Sequence, residues 1–331
     1  MYAPWREERI VRAVQVTRTD GPGSVEVSEV PDPVRGDGDV LVEVRAAGVN
    51  FPDLLLTKDM YQYKPSLPFV LGGEFAGVVR EAPDGSEFSP GDRVAGSATV
   101  GAFAELVSLP ARGVYPLPGK VDFAEGACLP MNYLTMTFAL LTRGALRPGE
   151  TVLVQGAAGG IGTATIQLAK ALGARVIAVV STEAKSEFVT TVGADHAVLA
   201  DGFKDAVKEL TGGRGVDMVV DPVGGDRFTD SLRCLATLGR LLVIGFTAGD
   251  IPTVKVNRLL LNNISVIGVG LGAYAGPRPE FLRGEWDKLV PYLESGAVVP
   301  PVSGTFGLER AGEAIAQLED RRVLGKVVIV P

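Results

Sequence analysis

The run Gly156-Ala157-Ala158-Gly159-Gly160-Ile161-Gly162 carries the plainest chemistry in this chain. A short apolar stretch, Val152 to Gln155, leads into it. TATIQLAKALG follows, with apolar residues at helical spacing and a natural stop at Gly173. RVIAVV then reads as a second buried strand. Strand, glycine turn, helix and strand in that order form the βαβ unit that cradles a dinucleotide pyrophosphate. Gly159 lets backbone approach the phosphates, and Gly162 lets the helix pack closely. The helix start at Gly160 and Ile161 offers free N–H groups and the positive end of the helix dipole. Ala157 stands where the usual GxGxxG pattern has its first glycine, so the turn is a variant.

A second position selects the dinucleotide. An acidic residue ending the second strand accepts hydrogen bonds from the ribose 2′-OH and repels a 2′-phosphate. This chain places Ser181 there, with Lys185 one turn later. A hydroxyl and an ammonium suit a phosphate, so the pair points to NADP(H), although Glu183 stands between them. A compatible plainer reading makes Ser181 the cap of the next helix and Lys185 a solvated charge.

The elements that must position these groups divide the chain in two. At 331 residues, two domains fit the length. Before residue 130, short β-like runs (IVRAVQV, VEVSEV, VLVEVRAAGV, FAGVVREA, GDRVAGS, FAELVSL) are separated by Gly, Pro and Asp, the pattern of an irregular β-barrel. After it, the apolar strands VLVQ, RVIAVV, HAVL, VDMVVD, RLLVIG and ISVIGV alternate with helices, as in a doubly wound parallel sheet. From Gly276 the pattern changes to a helix ending at Gly296, an amphipathic helix (LERAGEAIAQLEDRR) and a last strand, KVVIV, which should return to the first domain. The net charge of −7, without a basic block, argues against nucleic acid as the main partner. Two cysteines, Cys128 and Cys234, are too few for a disulfide framework; both sit in apolar surroundings and read as small core residues. No apolar leader or run of ~18 apolar residues is present. The expectation is a cytoplasmic protein with no membrane segment, whose first nine or ten residues are a flexible extension.

The order of motifs resembles the medium-chain dehydrogenase/reductase superfamily. AAGVNFPDLLL, MYQYKPSLPFVLGGEFAGVV, GDRVAG, GAAGGIG, DPVGG and the closing GKVVIV follow its sequence over about residues 10–331, and within it the zinc-free quinone oxidoreductases, the zeta-crystallin group, are most similar. Leu71 departs from the Pro that relatives often carry. The resemblance implies an α/β fold: a GroES-like irregular β-barrel catalytic domain, residues 1–130 plus 277–331, and a Rossmann doubly wound parallel sheet binding NADP(H), residues 131–276. Zinc is not expected on the residues alone. A catalytic zinc takes about three His, Cys or carboxylate ligands and a structural one typically four cysteines, whereas the chain has one histidine, His196, and two cysteines. Where zinc relatives carry Cys and Gly-His-Glu, it has GVNFPD and Gly72-Gly73-Glu74.

The resemblance also implies site residues. Asn50 and Asp53, on the turn into the helix after VRAAGV, would face the nicotinamide; capping by Asn50 and a solvent-facing Asp53 is the alternative. Tyr61, four residues before Pro65, matches the cleft tyrosine of quinone reductases and enoyl thioester reductases, and a strand-like chain would turn Tyr63 the same way. Thr135, taken to begin the TMTFALL helix, would contact the nicotinamide or its ribose. Val223 in DPVGG, Gly245 and Phe246 in IGFTAG, and Val269 and Leu271 in VGLG lie at carboxyl ends of strands, where open α/β sheets bind ligands. Leu199-Ala200-Asp201 replaces a tyrosine that relatives use at the 2′-phosphate, which leaves more to Ser181 and Lys185. The implied reaction is hydride transfer from NADPH to a small-molecule quinone or activated alkene. Reduction of 2-enoyl thioesters, or NADPH binding without turnover as in lens crystallins, are the alternatives. The apolar strand at residues 264–270 should pair across a homodimer axis.

Overall fold

A computed structural model describes residues 10–331. The flexible extension expected for the first nine or ten residues falls almost entirely outside that span. In chain order the strands are β1 (Ile10–Val16), β2 (Val25–Pro31), β3 (Asp39–Gly48), β4 (Phe69–Val70), β5 (Glu74–Glu81), β6 (Arg93–Ser97), β7 (Leu106–Pro110) and β8 (Val114–Pro116). They continue with β9 (Thr151–Val154), β10 (Arg175–Val180), β11 (His196–Leu199), β12 (Val216–Asp221), β13 (Leu235–Val243), β14 (Ser265–Gly268), β15 (Val302–Gly307) and β16 (Lys326–Val330). The helices are α1 (Phe51–Leu56), α2 (Phe123–Gly126), α3 (Leu129–Thr137), α4 (Gly160–Ala171), α5 (Glu183–Val192), α6 (Phe203–Leu210), α7 (Phe228–Arg233), α8 (Asn257–Asn262), α9 (Leu271–Ala275), α10 (Phe281–Ser295) and α11 (Ala311–Glu319).

The chain forms two compact units, one of residues up to Met131 with Val302–Pro331, the other of Asn132–Pro301. The first is the GroES-like unit. Its larger sheet has the order β15-β16-β3-β5-β6-β8, with β7 also on β3, and its smaller sheet the order β2-β1-β4. β3 shows why: Val40, Val42 and Val44 alternate inward along it, the period-2 pattern of a half-buried strand. The returning strand β16 is antiparallel to β3, with Val328 opposite Gly48 and Ile329 opposite Ala47.

The second unit is a six-stranded parallel sheet in the order β11-β10-β9-β12-β13-β14. Its first three strands in sequence run outward from the centre in one direction and its last three in the other, the Rossmann arrangement. Both faces are covered, so β10 is a continuous apolar run with Val176 to Val180 buried. The sequence reading gave residues 277–331 to the first domain, whereas α10 groups with the second unit. The apolar residues of α10 explain this. Trp286, Leu289 and Leu293 recur on one face and are buried, and the Phe281 ring stands edge-on to Phe138 and Tyr274. The chain turns back only at Val302.

One buried amide organises both ends of this second unit. The Gln167 Oε1 on α4 accepts from the Tyr133 hydroxyl at 2.7 Å and the Val299 N–H at 3.2 Å, while its Nε2 donates to the Val299 carbonyl at 2.7 Å. Gln167→Ala leaves both Val299 backbone groups without this partner. At about 1–3 kcal/mol for such a loss, it should lower the melting temperature by several degrees; a scanning calorimetry trace matching the wild type would show that the clamp contributes nothing.

Candidate functional site

In the second unit the glycine turn lies where the sequence places it. β9 ends at Val154, and α4 begins at Gly160 with Gly159 as its N-cap residue. A Cβ on Gly162 would come within 2.4 Å of the Ala157 carbonyl carbon and oxygen, so only glycine lets the helix meet the turn this closely. A Cβ on Gly159 would meet nothing nearer than the Gly156 oxygen at 3.6 Å. The space before the helix is therefore free of protein atoms at that point, and a phosphate can approach the N–H groups of Gly160 and Ile161.

Ser181 and Lys185 come together. Ser181 is exposed just beyond β10, and the Lys185 Nζ lies 3.4 Å from its hydroxyl. The cap of α5 is Thr182, whose side chain accepts from the Lys185 N–H, so Ser181 is released from the capping role. The other loops at this end of the sheet are tied to each other. The Asp221 Oδ1 accepts from the N–H groups of Val223 and Gly224 at 2.8 and 2.9 Å, shaping the DPVGG turn. Thr247 and Ala248, just past Gly245 and Phe246, donate to the carbonyls of Pro222 and Val223. Phe246 is partly exposed against Gly224. The Val269 N–H donates to the Val243 carbonyl, and Leu271 opens α9. Thr135 does not begin a helix: it sits inside α3, which starts at Leu129, and its side chain is half-buried.

In the first unit the Asn50–Asp53 turn is buried. Asn50 precedes α1, and its backbone N–H donates to the Asp53 Oδ2 at 2.7 Å. Asp53 is 2% exposed, so the solvent-facing alternative fails. Burial pushes its carboxyl up to about 7, against the lowering pull of the Asn50 N–H and of Lys326. The Asn50 amide is committed within the protein: Nδ2 donates to the Gly48 carbonyl at 3.2 Å and to Glu74 Oε1 at 2.7 Å, and Oδ1 accepts from Lys326 at 2.6 Å. Tyr61 is half-buried against the first unit's core. Its phenol is raised by burial and then by the charge of Asp53. The segment around Tyr61 and Tyr63 is a succession of bends with Asp59 at φ 53°, and Tyr63 is 44% exposed. The strand-like expectation that both rings point one way fails because no neighbouring strand pairs with these residues.

The sequence reading missed Lys326 and the role of Glu74. Lys326 is 3% exposed and donates to the Val49 carbonyl at 2.9 Å, to Asn50 and to Glu74 Oε1 at 2.8 Å. Glu74 is fully buried, and its Oε2 accepts from the Met131 N–H at 2.8 Å. The signal was available: each opens a buried apolar strand (EFAGVV, KVVIV), and a charge there requires an opposite partner from elsewhere in the chain. His196 lies 3.2 Å from an Arg175 nitrogen, and both cysteines are buried. Burial raises both thiols, Cys234 to about 12. Among the described residues no group of three or more His, Cys, Asp or Glu is placed to hold a metal, and no helix is long and apolar enough to cross a membrane.

A GroES-like barrel unit with a Rossmann unit inserted in its chain defines a class of nucleotide-dependent oxidoreductases. Residues 36–119 match the alcohol dehydrogenase GroES-like domain, and residues 160–294 match the family described as zinc-binding dehydrogenase. The chain is 37% identical to the quinone oxidoreductase-like protein 2 of Rattus norvegicus, over 98% of this chain and 93% of the relative. It superposes on a probable oxidoreductase from Mycobacterium abscessus with a TM-score of 0.91 at 47% identity, over 98% of this chain and 100% of the other. It superposes on an Escherichia coli quinone oxidoreductase complexed with NADPH with a TM-score of 0.88 at 29% identity, over 97% and 100%. The chain belongs to the medium-chain dehydrogenase/reductase superfamily and, within it, to the quinone oxidoreductase group.

Proposed function

We propose that this protein is an NADPH-dependent reductase that passes hydride to a quinone or an activated alkene without a metal. The observation that carries the reading is the Ser181–Lys185 pair beyond β10, where an acidic residue would reject a 2′-phosphate. The NADPH complex of the Escherichia coli relative supports it. The glycine turn fits the cofactor: Gly162 closes the turn against the helix, and the α4 N-terminus would take the pyrophosphate. Bound NADPH supplies the hydride. Val223, Gly245, Phe246, Val269, Leu271 and Thr135 are proposed to hold the rest of the cofactor.

The acceptor gains negative charge on oxygen as it is reduced, and Tyr61 is the proposed donor to that oxygen. Asp53 is a buried carboxyl whose charge, after burial itself, raises the Tyr61 phenol. Asn50 is a positioning residue, because its amide is spent inside the protein. Metal-free chemistry is favoured by the donor set, one histidine beside an arginine and two buried, protonated thiols. The cytoplasm is the proposed location.

A second copy of the chain is the proposed partner. β14 ends the parallel sheet, and beside it Leu260 and Leu261 of α8 are 75% and 74% exposed. An open strand edge flanked by exposed leucines invites pairing about a two-fold axis. Val266 on β14 packs partly against its own unit's core and is therefore a poor probe. Sedimentation should give twice the chain mass, and L260E/L261E should shift it to the monomer; a wild-type monomer at micromolar concentration rules the dimer out.

Lys185→Ala should weaken NADPH binding about 10- to 100-fold and leave NADH nearly unchanged, since a charge-assisted hydrogen bond is worth roughly 1.5–3 kcal/mol. Equal losses for both cofactors in a fluorescence titration contradict the assignment. NADPH oxidation with 1,4-benzoquinone, 9,10-phenanthrenequinone and crotonyl-CoA identifies the acceptor class, a thioester preference favouring the enoyl reductase and no turnover the binding-only protein. Tyr61→Phe should lower kcat/KM for an enone about 10- to 100-fold and less for an easily reduced quinone. Unchanged rates on every acceptor would take Tyr61 out of the chemistry.

A further inference from the structure

The sheet of the second unit reverses its strand order between β9 and β12, the place where open α/β sheets hold a ligand. The ends of these two strands lie side by side, since the Gln155 N–H donates to the Val220 carbonyl at 3.0 Å. Each end runs into a turn of the proposed cofactor site, the glycine turn after β9 and DPVGG after β12. The two turns pack on each other. A Cβ on Gly156, whose φ is 57°, would come within 3.0 Å of Val223 Cγ2. The segment after β13 braces the second turn, with the Thr247 and Ala248 N–H groups donating to the Pro222 and Val223 carbonyls.

Asp221 holds DPVGG from within. It is 1% exposed, and its Oδ1 accepts from both the Val223 and the Gly224 N–H, at 2.8 and 2.9 Å. Its Oδ2 is buried and, among the described residues, meets no donor. Burial raises the carboxyl, and the Gly224 and Val223 N–H groups pull it back ahead of Arg227. The carboxyl is therefore spent on this turn. A buried carboxyl with one oxygen unmet costs stability, and such a group in a folded protein calls for a reason beyond packing.

We infer that Asp221 is a positioning residue for the dinucleotide, holding the DPVGG turn in its binding shape before the cofactor arrives. Where Val223 and the glycine turn line the cofactor, as proposed above, a turn fixed in advance spares binding the entropy of fixing it then. Because Val223 packs on Gly156, the effect reaches the turn that would take the pyrophosphate. The pyrophosphate is common to NADPH and NADH. Asp221 therefore serves both dinucleotides, whereas Ser181 and Lys185 serve the 2′-phosphate alone.

The test compares full-length wild type, D221A, D221N and K185A by calorimetric titration with NADPH, NADH and 2′-AMP, which carries the 2′-phosphate and no pyrophosphate. D221A should weaken NADPH and NADH equally, about 10- to 100-fold for a turn that must now order on binding, and leave 2′-AMP unchanged. K185A should weaken NADPH and 2′-AMP and spare NADH. D221N keeps an Oδ1 acceptor and should restore most of the affinity for both dinucleotides. Amide exchange on the protein without cofactor should find the Val223 and Gly224 N–H groups protected in wild type and exposed in D221A. Wild-type affinity of D221A for both dinucleotides overturns the inference and leaves Asp221 a packing residue, even if the melting temperature falls. D221N as weak as D221A overturns the role given to the two hydrogen bonds. If D221A fails to fold, wild-type exchange decides: amides that exchange freely until NADPH binds overturn the fixed turn. A wild type that prefers NADH and ignores 2′-AMP removes the NADPH reading, while the NADH titrations still judge Asp221. A wild type that binds neither dinucleotide overturns both.

Discussion

A buried ammonium with three oxygen partners holds the first unit's candidate site together. Lys326 comes from the last strand, Glu74 from the head of β5, and Val49 and Asn50 from the turn between β3 and α1. Met131, at the end of the unit's long N-terminal segment, is tied in through the other Glu74 oxygen. Four parts of the chain therefore meet at one ion pair. Removing one partner of such a pair costs about 3–5 kcal/mol, because the remaining charge is left buried and uncompensated. The constraint reaches Asp53 through backbone, since the N–H that steadies its carboxylate belongs to the residue whose side chain grips Lys326.

The second unit was legible in the sequence almost element by element. Its six strands are short apolar runs buried on both faces, and its turn is glycine-rich because Gly162 sits against Ala157 with no room for a side chain. Those signals are local, and local signals survive in a single sequence. Thr135 shows the limit: helical propensity does not mark where α3 begins, and the start at Leu129 lies six residues earlier than its placement at Thr135 implied. The place of α10 was also illegible, because Trp286, Leu289 and Leu293 announce a buried face but not which unit buries it.

The first unit was legible as motifs and opaque as geometry. GGEFAG and GKVVIV were both recognised, yet nothing in either says that residues 252 positions apart share a hydrogen bond. Asn50 was expected to face the nicotinamide, and its amide turns out to be engaged by Gly48, Glu74 and Lys326. Tyr61 and Tyr63 looked equivalent by spacing, and a chain without strand partners let one half-bury and the other face water. In each case the missing information was the identity of a distant neighbour, which periodicity cannot supply.

The second unit is an insertion: residues 132–301 interrupt a first unit that resumes only at Val302. During synthesis the order of events is then fixed by chain direction. The insert emerges whole before β16 exists, and the Gln167 clamp on Val299 can close while the C-terminal strand is still within the ribosome. The first unit has no such freedom. Until Lys326 is made, Glu74 has no cation and β3 lacks one neighbour, so the earlier half of the chain must wait, incomplete, for its final few residues. A nascent chain of this design presents an unfinished barrel to the cell for the whole time that its nucleotide-binding insert is being built, and chaperones would meet that half first.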